Sequence, residues 1–311
     1  MKTSLVKSQR INKKSKWNKK EVMACYAMLA LPIIGFFVFT LYPILWSGKM
    51  SFFSYTGLKS SQAWMGWSNY KTLIADKTYW HSWIINLVFM FIKLPIEAFL
   101  AFITAYLLLN NTKFAGFYRS VYFMPTIVSA AIVGLVFSNM FDYFGVINAN
   151  LQRFDIIDTP INWFESVGAS ITVVLVTTFW QSFGINVLYF VAALSGVPKE
   201  IQESAMLDGA NSMVRLFKVT LPMILPVLQV VLLLSMQGTL SIGEVILILT
   251  GGAPAGNTHS VQSYLMSKIV PGFGGVADIG YMAAASIITS IICCIVALSF
   301  NKISERMKNV Y

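Results

Sequence analysis

Lys93 and Glu97 stand four residues apart in a stretch, Trp83 to Leu109, that is otherwise uncharged and apolar. On a helix that spacing puts both side chains on one face, where they can pair. An ionisable pair at membrane depth can also serve a proton relay, so it has a structural and a functional reading. Glu244 is a further acid at the edge of an apolar run. Other reactive groups are sparse. His81 and His259 are far apart, and no Cys or carboxylate cluster surrounds either. Cys25, Cys293 and Cys294 lie inside apolar runs without metal-ligand spacing. Neither a metal site nor a catalytic residue is expected. The chain has no GxxxxGK[ST] phosphate loop, so it does not itself bind ATP in that manner.

These few groups sit in a strongly apolar chain of 311 residues, 56% hydrophobic and only 12% charged. Soluble domains carry roughly 25% charged residues, so this composition excludes a cytosolic globular enzyme. A bilayer core takes about 20 helical residues. Six apolar stretches of that order occur, near 22–46, 83–108, 120–141, 168–194, 223–249 and 279–300. The uncharged run 245–267 is interrupted by TGGAPAGNTHS, whose turn formers end a helix near Leu249. The first stretch exceeds a signal-peptide core and no small-x-small cleavage site follows it, so it reads as a retained span.

Lys and Arg set the orientation. Residues 1–20 carry eight of them and no acid. Beside a membrane helix this run reads as a cytoplasmic anchor near anionic lipid rather than a nucleic-acid contact. With six spans, the segments on the N-terminal side hold sixteen Lys and Arg and the opposite loops hold six. Lys59 is among the six; Lys113 and the tail after 301 belong to the sixteen. The expected fold is therefore an all-α polytopic membrane protein with six transmembrane helices and both termini cytoplasmic. Its parts are a basic segment 1–21, a membrane domain 22–300 and a tail 301–311. Asn110-Asn111-Thr112 matches a glycosylation pattern but falls on the cytoplasmic side.

One cytoplasmic loop stands out, from Ser195 to Pro226. Gly196 can end the fourth helix and Pro198 suits the start of a new one. Lys199 to Leu207 contains good helix formers, Asp208-Gly209 signals a turn, and Asn211 can cap a second short helix. Pro222 and Pro226 open the fifth span. The spacing predicts two short amphipathic helices joined by a hinge and lying beneath the membrane.

Within that loop, Glu203-Ser204-Ala205, three residues, Gly209, nine residues and Val219-Thr220-Leu221-Pro222 resemble the EAA loop of ABC importer permeases. Ser204 and Val219 depart from the family's Ala and Ile by small-for-small and apolar-for-apolar changes. Further segments resemble the sugar permeases of the maltose or glycerol-3-phosphate side. They are Leu41 to Gly57, Gly66-Trp67-Ser68-Asn69-Tyr70, Arg119 to Pro125, Leu249 to Pro254 with Thr258, and Gly280 to Ala285. Ala253 is inserted before the proline of the fourth. The outer loops are too short for the large outer domain of the maltose permease.

The resemblance implies the type I importer permease fold in a bacterial cytoplasmic (inner) membrane, and a transport subunit rather than an enzyme. It implies a second permease subunit, usually a different chain, two ATPase subunits that bind ATP and Mg, and an extracellular solute-binding protein. Glu203, Ala205, Met206, Leu207, Gly209, Leu221 and Pro222 are the implied ATPase-coupling residues. Trp180, Gln181, Asn186, Tyr189, Gln229 and Gln237, with Ser129 and Ser235, are candidates for the solute pathway. The same polar groups could instead glue helices together. Oligosaccharide, monosaccharide, polyol and glycerol phosphate all remain open as solutes. The rival reading is an ion-coupled secondary transporter, which would place functional charges at the membrane centre.

Overall fold

The computed structural model describes residues 19–58, 60, 62–110, 115–269 and 277–308. Lys2 to Lys16, Lys59, Asn111-Thr112-Lys113 and the last three residues lie outside them. The chain forms two compact units, 1–49 and 50–311. In the first, α1 (Lys19–Phe36) leads through a π-helical turn, Phe37–Leu41, into α2 (Tyr42–Met50), which ends at the boundary. No part of its apolar window is buried, as suits side chains that face lipid or another chain.

The second unit is helical apart from a two-residue antiparallel ladder among the described residues, β1 (Phe53–Ser54) against β2 (Ala63–Trp64). After it come α3 (Ser68–Ala75), α4 (Lys77–Val88), a π turn at Phe89–Lys93 and α5 (Leu94–Asn110). Two helices follow, α6 (Ala115–Ile127) and α7 (Ala130–Met140), then α8 (Val146–Arg153) and the long α9 (Val167–Ser195). The remainder is α10 (Lys199–Leu207), α11 (Ser212–Arg215), a π turn at Leu216–Thr220, α12 (Leu221–Leu240), α13 (Glu244–Leu249), α14 (Val261–Ser267) and α15 (Ile279–Lys308).

Five helical runs are long and apolar enough to cross a membrane, and the α6–α7 pair makes a sixth if it counts as one broken span. The structure corrects the expected uninterrupted helix over 120–141. α6 and α7 meet at 91°. Ser129 takes an extended conformation and its hydroxyl caps Ala131 N, which starts a new helix where the sequence alone reads as continuous apolar helix. The fifth expected span also breaks, at Ser241–Gly243. Asn86 Nδ2 donates to Leu240 O at 3.3 Å and Ser260 Oγ donates to Ile242 O, so a carbonyl at the end of α12 and one within the break are bonded.

Each π turn ends two residues before a proline: Leu41 before Pro43, Lys93 before Pro95, Thr220 before Pro222. Proline lacks the N–H that its i−4 carbonyl needs, and the wider i→i+5 turn accommodates that loss.

Glycines set the closest approaches. A Cβ on Gly184 of α9 would lie 1.8 Å from Tyr122 O of α6. One on Gly280 would lie 1.9 Å from Phe53 O. Asn69, buried, donates to that same Phe53 O and to Ser51 O, each at 2.9 Å. Two separate sequence segments, Gly66–Tyr70 and Gly280–Ala285, thus clasp one hairpin.

Candidate functional site: a polar cleft and an exposed short helix

The cleft lies among the π turn at Phe89–Lys93, α6, the start of α7, α9, α12 and α13 and measures about 360 Å³. Thr178, Ser182 and Asn186 recur every four residues along α9, which places them on one face. Gln181 and Tyr189 flank that face, and all five line the cleft. From α12 come Ser235, Gly238 and Thr239, then Ser241 and Glu244 at the break.

Lys93 and Glu97 pair as their spacing predicts, Nζ to Oε2 at 2.7 Å, with side chains 2% and 0% exposed. The pair is the centre of a network. Lys93 Nζ donates to Ser182 Oγ at 2.9 Å, and Ser182 Oγ donates to Glu97 Oε1 at 2.6 Å. Asn186 Nδ2 donates to the same Oε1 at 2.7 Å, and Ser235 Oγ donates to Asn186 Oδ1 at 2.6 Å. Helices α5, α9 and α12 are thereby tied through one buried carboxylate. A buried ion pair holds only with such added bonds.

The sequence-derived pathway candidates separate into different places. Gln181, Asn186 and Tyr189 come together in the cleft. Trp180 faces an apolar groove of about 600 Å³ with Phe179, Phe183 and Tyr122, and its ring lies 5.4 Å from that of Phe137. Gln237 lines a third cleft, with Trp83, Asn86 and Cys293. Gln229 is half-buried on α12, about two turns before Gln237. Ser129 caps α7 and Ser235 serves the network. Thr178 and Ser182 are absent from the sequence-derived candidates, and their four-residue recurrence with Asn186 is the signal that finds them.

The segment 195–226 begins as expected: Gly196 caps α9 and Pro198 is the N-cap of α10. No residue of α10 is buried, Met206 is 49% exposed and Leu207 is 89% exposed. Gly209 follows at φ +81, with nothing within 4 Å of where its Cβ would stand. Ala210 N closes the turn on Ala205 O at 2.9 Å. Asn211 caps α11 through Val214 N at 2.9 Å. The expected separate second helix is corrected. α11 runs through its π turn into α12, with Leu221 and Pro222 opening α12 but not breaking the run. Pro near a helix start gives up an N–H that has no partner anyway. Gln202 Nε2 donates to Thr220 Oγ1 at 2.7 Å and so fastens α10 to this rod. Glu203, exposed, shares a surface cleft with Lys199, Met206 and Arg215.

A second cluster sits at the start of α4. Asp76 caps that helix, its Oδ1 accepting from Thr78 N at 2.9 Å and Tyr79 N at 3.1 Å. Its Oδ2 accepts from both Tyr264 and Tyr281 hydroxyls. Burial pushes the Asp76 carboxyl up, but the hydrogen bonds from Tyr264, Tyr281 and the two amides outweigh it and hold it below the usual value. In the adjoining loop, burial and then the Lys268 charge push His259 down to about 4.

The sequence profile described as "Binding-protein-dependent transport system inner membrane component" matches residues 97–309. The chain is 30% identical over 297 residues to the Probable ABC transporter permease protein YesP of Bacillus subtilis, covering 94% of each. It is 30% identical over 252 residues to the Lactose transport system permease protein LacF of Rhizobium radiobacter, covering 79% of this chain and 84% of that one. A solved bacterial ABC transporter for import of the acidic polysaccharide alginate has a chain of the same fold. It superposes with a TM-score of 0.75 at 20% identity, covering 92% of this chain and 96% of that chain. With a profile that covers more than half of its length and relatives aligned nearly end to end, the chain belongs to the family of inner membrane components of binding-protein-dependent transport systems.

Proposed function

We propose that this chain is the permease subunit of an ATP-driven sugar importer, forming half of the solute pathway. Sugar is the solute class because LacF and other relatives, such as the Arabinooligosaccharides transport system permease protein AraP of Bacillus subtilis, are sugar permeases by name. In this reading the six spans run through α1–α2, α4–α5, α6–α7, α9, α11–α13 and α15, with both termini in the cytoplasm of a bacterial cell. The polar cleft is the pathway wall. A solute-binding protein delivers sugar from outside, a second permease chain closes the pathway, and two ATPase subunits bind ATP and Mg.

The observation that carries the coupling role is the exposed α10 knob. Met206 and Leu207 project from a helix that buries nothing, and Gly209 beyond them turns the chain in a conformation that L side chains disfavour. An apolar pair with no covering in its own chain fits a cleft on a partner. Closure of the ATPase dimer on ATP would push α10, and Gln202–Thr220 would pass that push to α12, whose upper turns line the cleft. The Lys93–Glu97 pair is engaged with Ser182 and Asn186, which favours a bracing role over the proton relay of an ion-coupled carrier.

The test is a tagged chain purified from membranes, unaltered and as Leu207→Arg. The unaltered chain is expected to bring down a second permease and two ATPase subunits, and Leu207→Arg to lose the ATPases while keeping the second permease. Single cysteines at Ser60, Asp155 and Asn257 are expected to react from outside, and one at Ala210 to react only from within. ATPase retention by Leu207→Arg, or outside labelling at Ala210, would sink the reading.

A further inference from the structure

On the reading of the polar cleft as the solute pathway, we propose that the solute is an uncharged glycan, and that the cleft's own charge turns away uronates and sugar phosphates. Among the described residues Lys93 is the one cation in the cleft lining. Its charge is already matched. Nζ stands 2.7 Å from Glu97 Oε2 and 2.9 Å from Ser182 Oγ, and Glu97 is fully buried behind it. The pair presents no net charge to a passing solute.

Glu244 lines the same cleft from the first turn of α13 and is exposed there. No cation among the described residues forms an ion pair with it. The formal charge of Lys93, Glu97 and Glu244 together is therefore negative. Walls of low dielectric focus such a field into the cleft. An anion entering it meets repulsion with no cation left to compensate. A neutral polyol meets none, and finds the amide of Gln181 and the hydroxyls of Tyr189 and Ser241 along the same wall. The alginate importer shares the fold at 20% identity, so the scaffold by itself does not turn away an acidic glycan.

The charge can be read without knowing the sugar. Gly238 lines this cleft and has open space where a side chain would project. In the assembled transporter with Cys25, Cys293 and Cys294 replaced by Ala, a Gly238→Cys thiol is reacted with a cationic and an anionic methanethiosulfonate of similar size. Rates are normalised to a free thiol. The cationic reagent is expected to win by at least about tenfold at low salt, and the margin to shrink as salt rises. Glu244→Gln and Glu97→Gln each bring the sum of the three charges to zero, so each is expected to bring the ratio towards one. A ratio at or below one in the unaltered background overturns the charge assignment. Failure of both charged reagents where membrane-permeant N-ethylmaleimide reacts shows that the cleft is not an aqueous path, which overturns the pathway reading and this proposal with it. Should Glu97→Gln not assemble, Glu244→Gln decides alone: an unchanged ratio in that variant removes Glu244 as the source of the field and overturns the proposal.

Discussion

Gly184 and Tyr122 place α9 and α6 in backbone contact, with room for a hydrogen but not for a methyl group between the Gly184 Cα and the Tyr122 carbonyl. The contact is made beside Thr126 and Gln181, which join the same two helices through Thr126 Oγ1 to Gln181 O at 3.0 Å. Since the obstacle is backbone, a side chain cannot rotate away. Gly184→Ala is expected to cost at least about 2–3 kcal/mol of stability. Gly168→Ala, at the start of the same helix with nothing within 4 Å, is the control and should cost little. Thermal unfolding of the two variants in detergent checks this, and equal melting temperatures would refute it.

The ion pair should respond asymmetrically. Glu97→Leu leaves Lys93 buried and unmatched, at a cost of about 3–5 kcal/mol, while adding Lys93→Met to it removes both charges and should cost clearly less. A double-mutant cycle on unfolding separates the cases. If the double variant is as unstable as the sum of the singles, the two residues are not coupled.

In the segment 195–226, proposed to couple to the ATPases, Gly209→Asp and Glu203→Lys are expected to fail in different ways. Space is open at Gly209, so the penalty is conformational, about 1–2 kcal/mol for φ +81, and it misdirects α11 and the rod behind it. The ATPases should still bind, but transport should stop. Glu203→Lys is expected to weaken ATPase binding by about 2–5 kcal/mol if Glu203 meets a cation in a buried interface. Co-purification and uptake, with expression checked, separate the two. Normal uptake by both variants would leave the coupling role without support.

The loop 250–260 should loosen in mild acid. His259 titrates near 6.5 when unfolded and at about 4 in its buried place, so the unfolded chain binds the proton first as pH falls. Its contribution is intact above about 6.5 and is lost progressively down to about 4. Asp76, also held below its usual value, adds a loss only at lower pH, below 3.8. Hydrogen exchange of the loop at pH 7 and pH 5 is expected to show faster opening at pH 5. A His259→Gln variant should lack the difference, and an identical difference in that variant would count against His259 as its source.

Much of the fold is legible in the chain because spans are written in bulk properties. Length, hydropathy and prolines place α9 and α15 to within a residue or two at their starts, and Asn211 declares itself as a cap by type and position. The break at Ser129 is not legible, because a serine amid apolar residues fits a membrane helix as well as a cap. Nor is the break at Ser241–Gly243, where Asn86 bonds Leu240 O just before it and Ser260 bonds Ile242 O within it, both distant in sequence. At the cleft, spacing alone pairs Lys93 with Glu97. Their bonds to Ser182 and Asn186 span about 85 to 89 residues and depend on how α5 meets α9. Adjacency groups Trp180 with Gln181, yet neighbours on a helix point about 100° apart, so one faces the cleft and the other the apolar groove.

The π turn at Phe89–Lys93 holds one residue more than an α turn, which makes it a phase shift written into the backbone. Everything after it on α5 is rotated by about 100° from where an unbroken α-helix would carry it. Rewinding the same five residues as α-helix, with none removed, would keep the helix and its hydropathy, yet swing Glu97 out of reach of Ser182 and Asn186. Deleting one residue would instead return an α turn and keep Glu97 in phase. The alignment of this helix with its neighbours is therefore held by the width of the turn between Val88 and Leu94, and a change that tightened it without shortening the chain would do more damage than most substitutions.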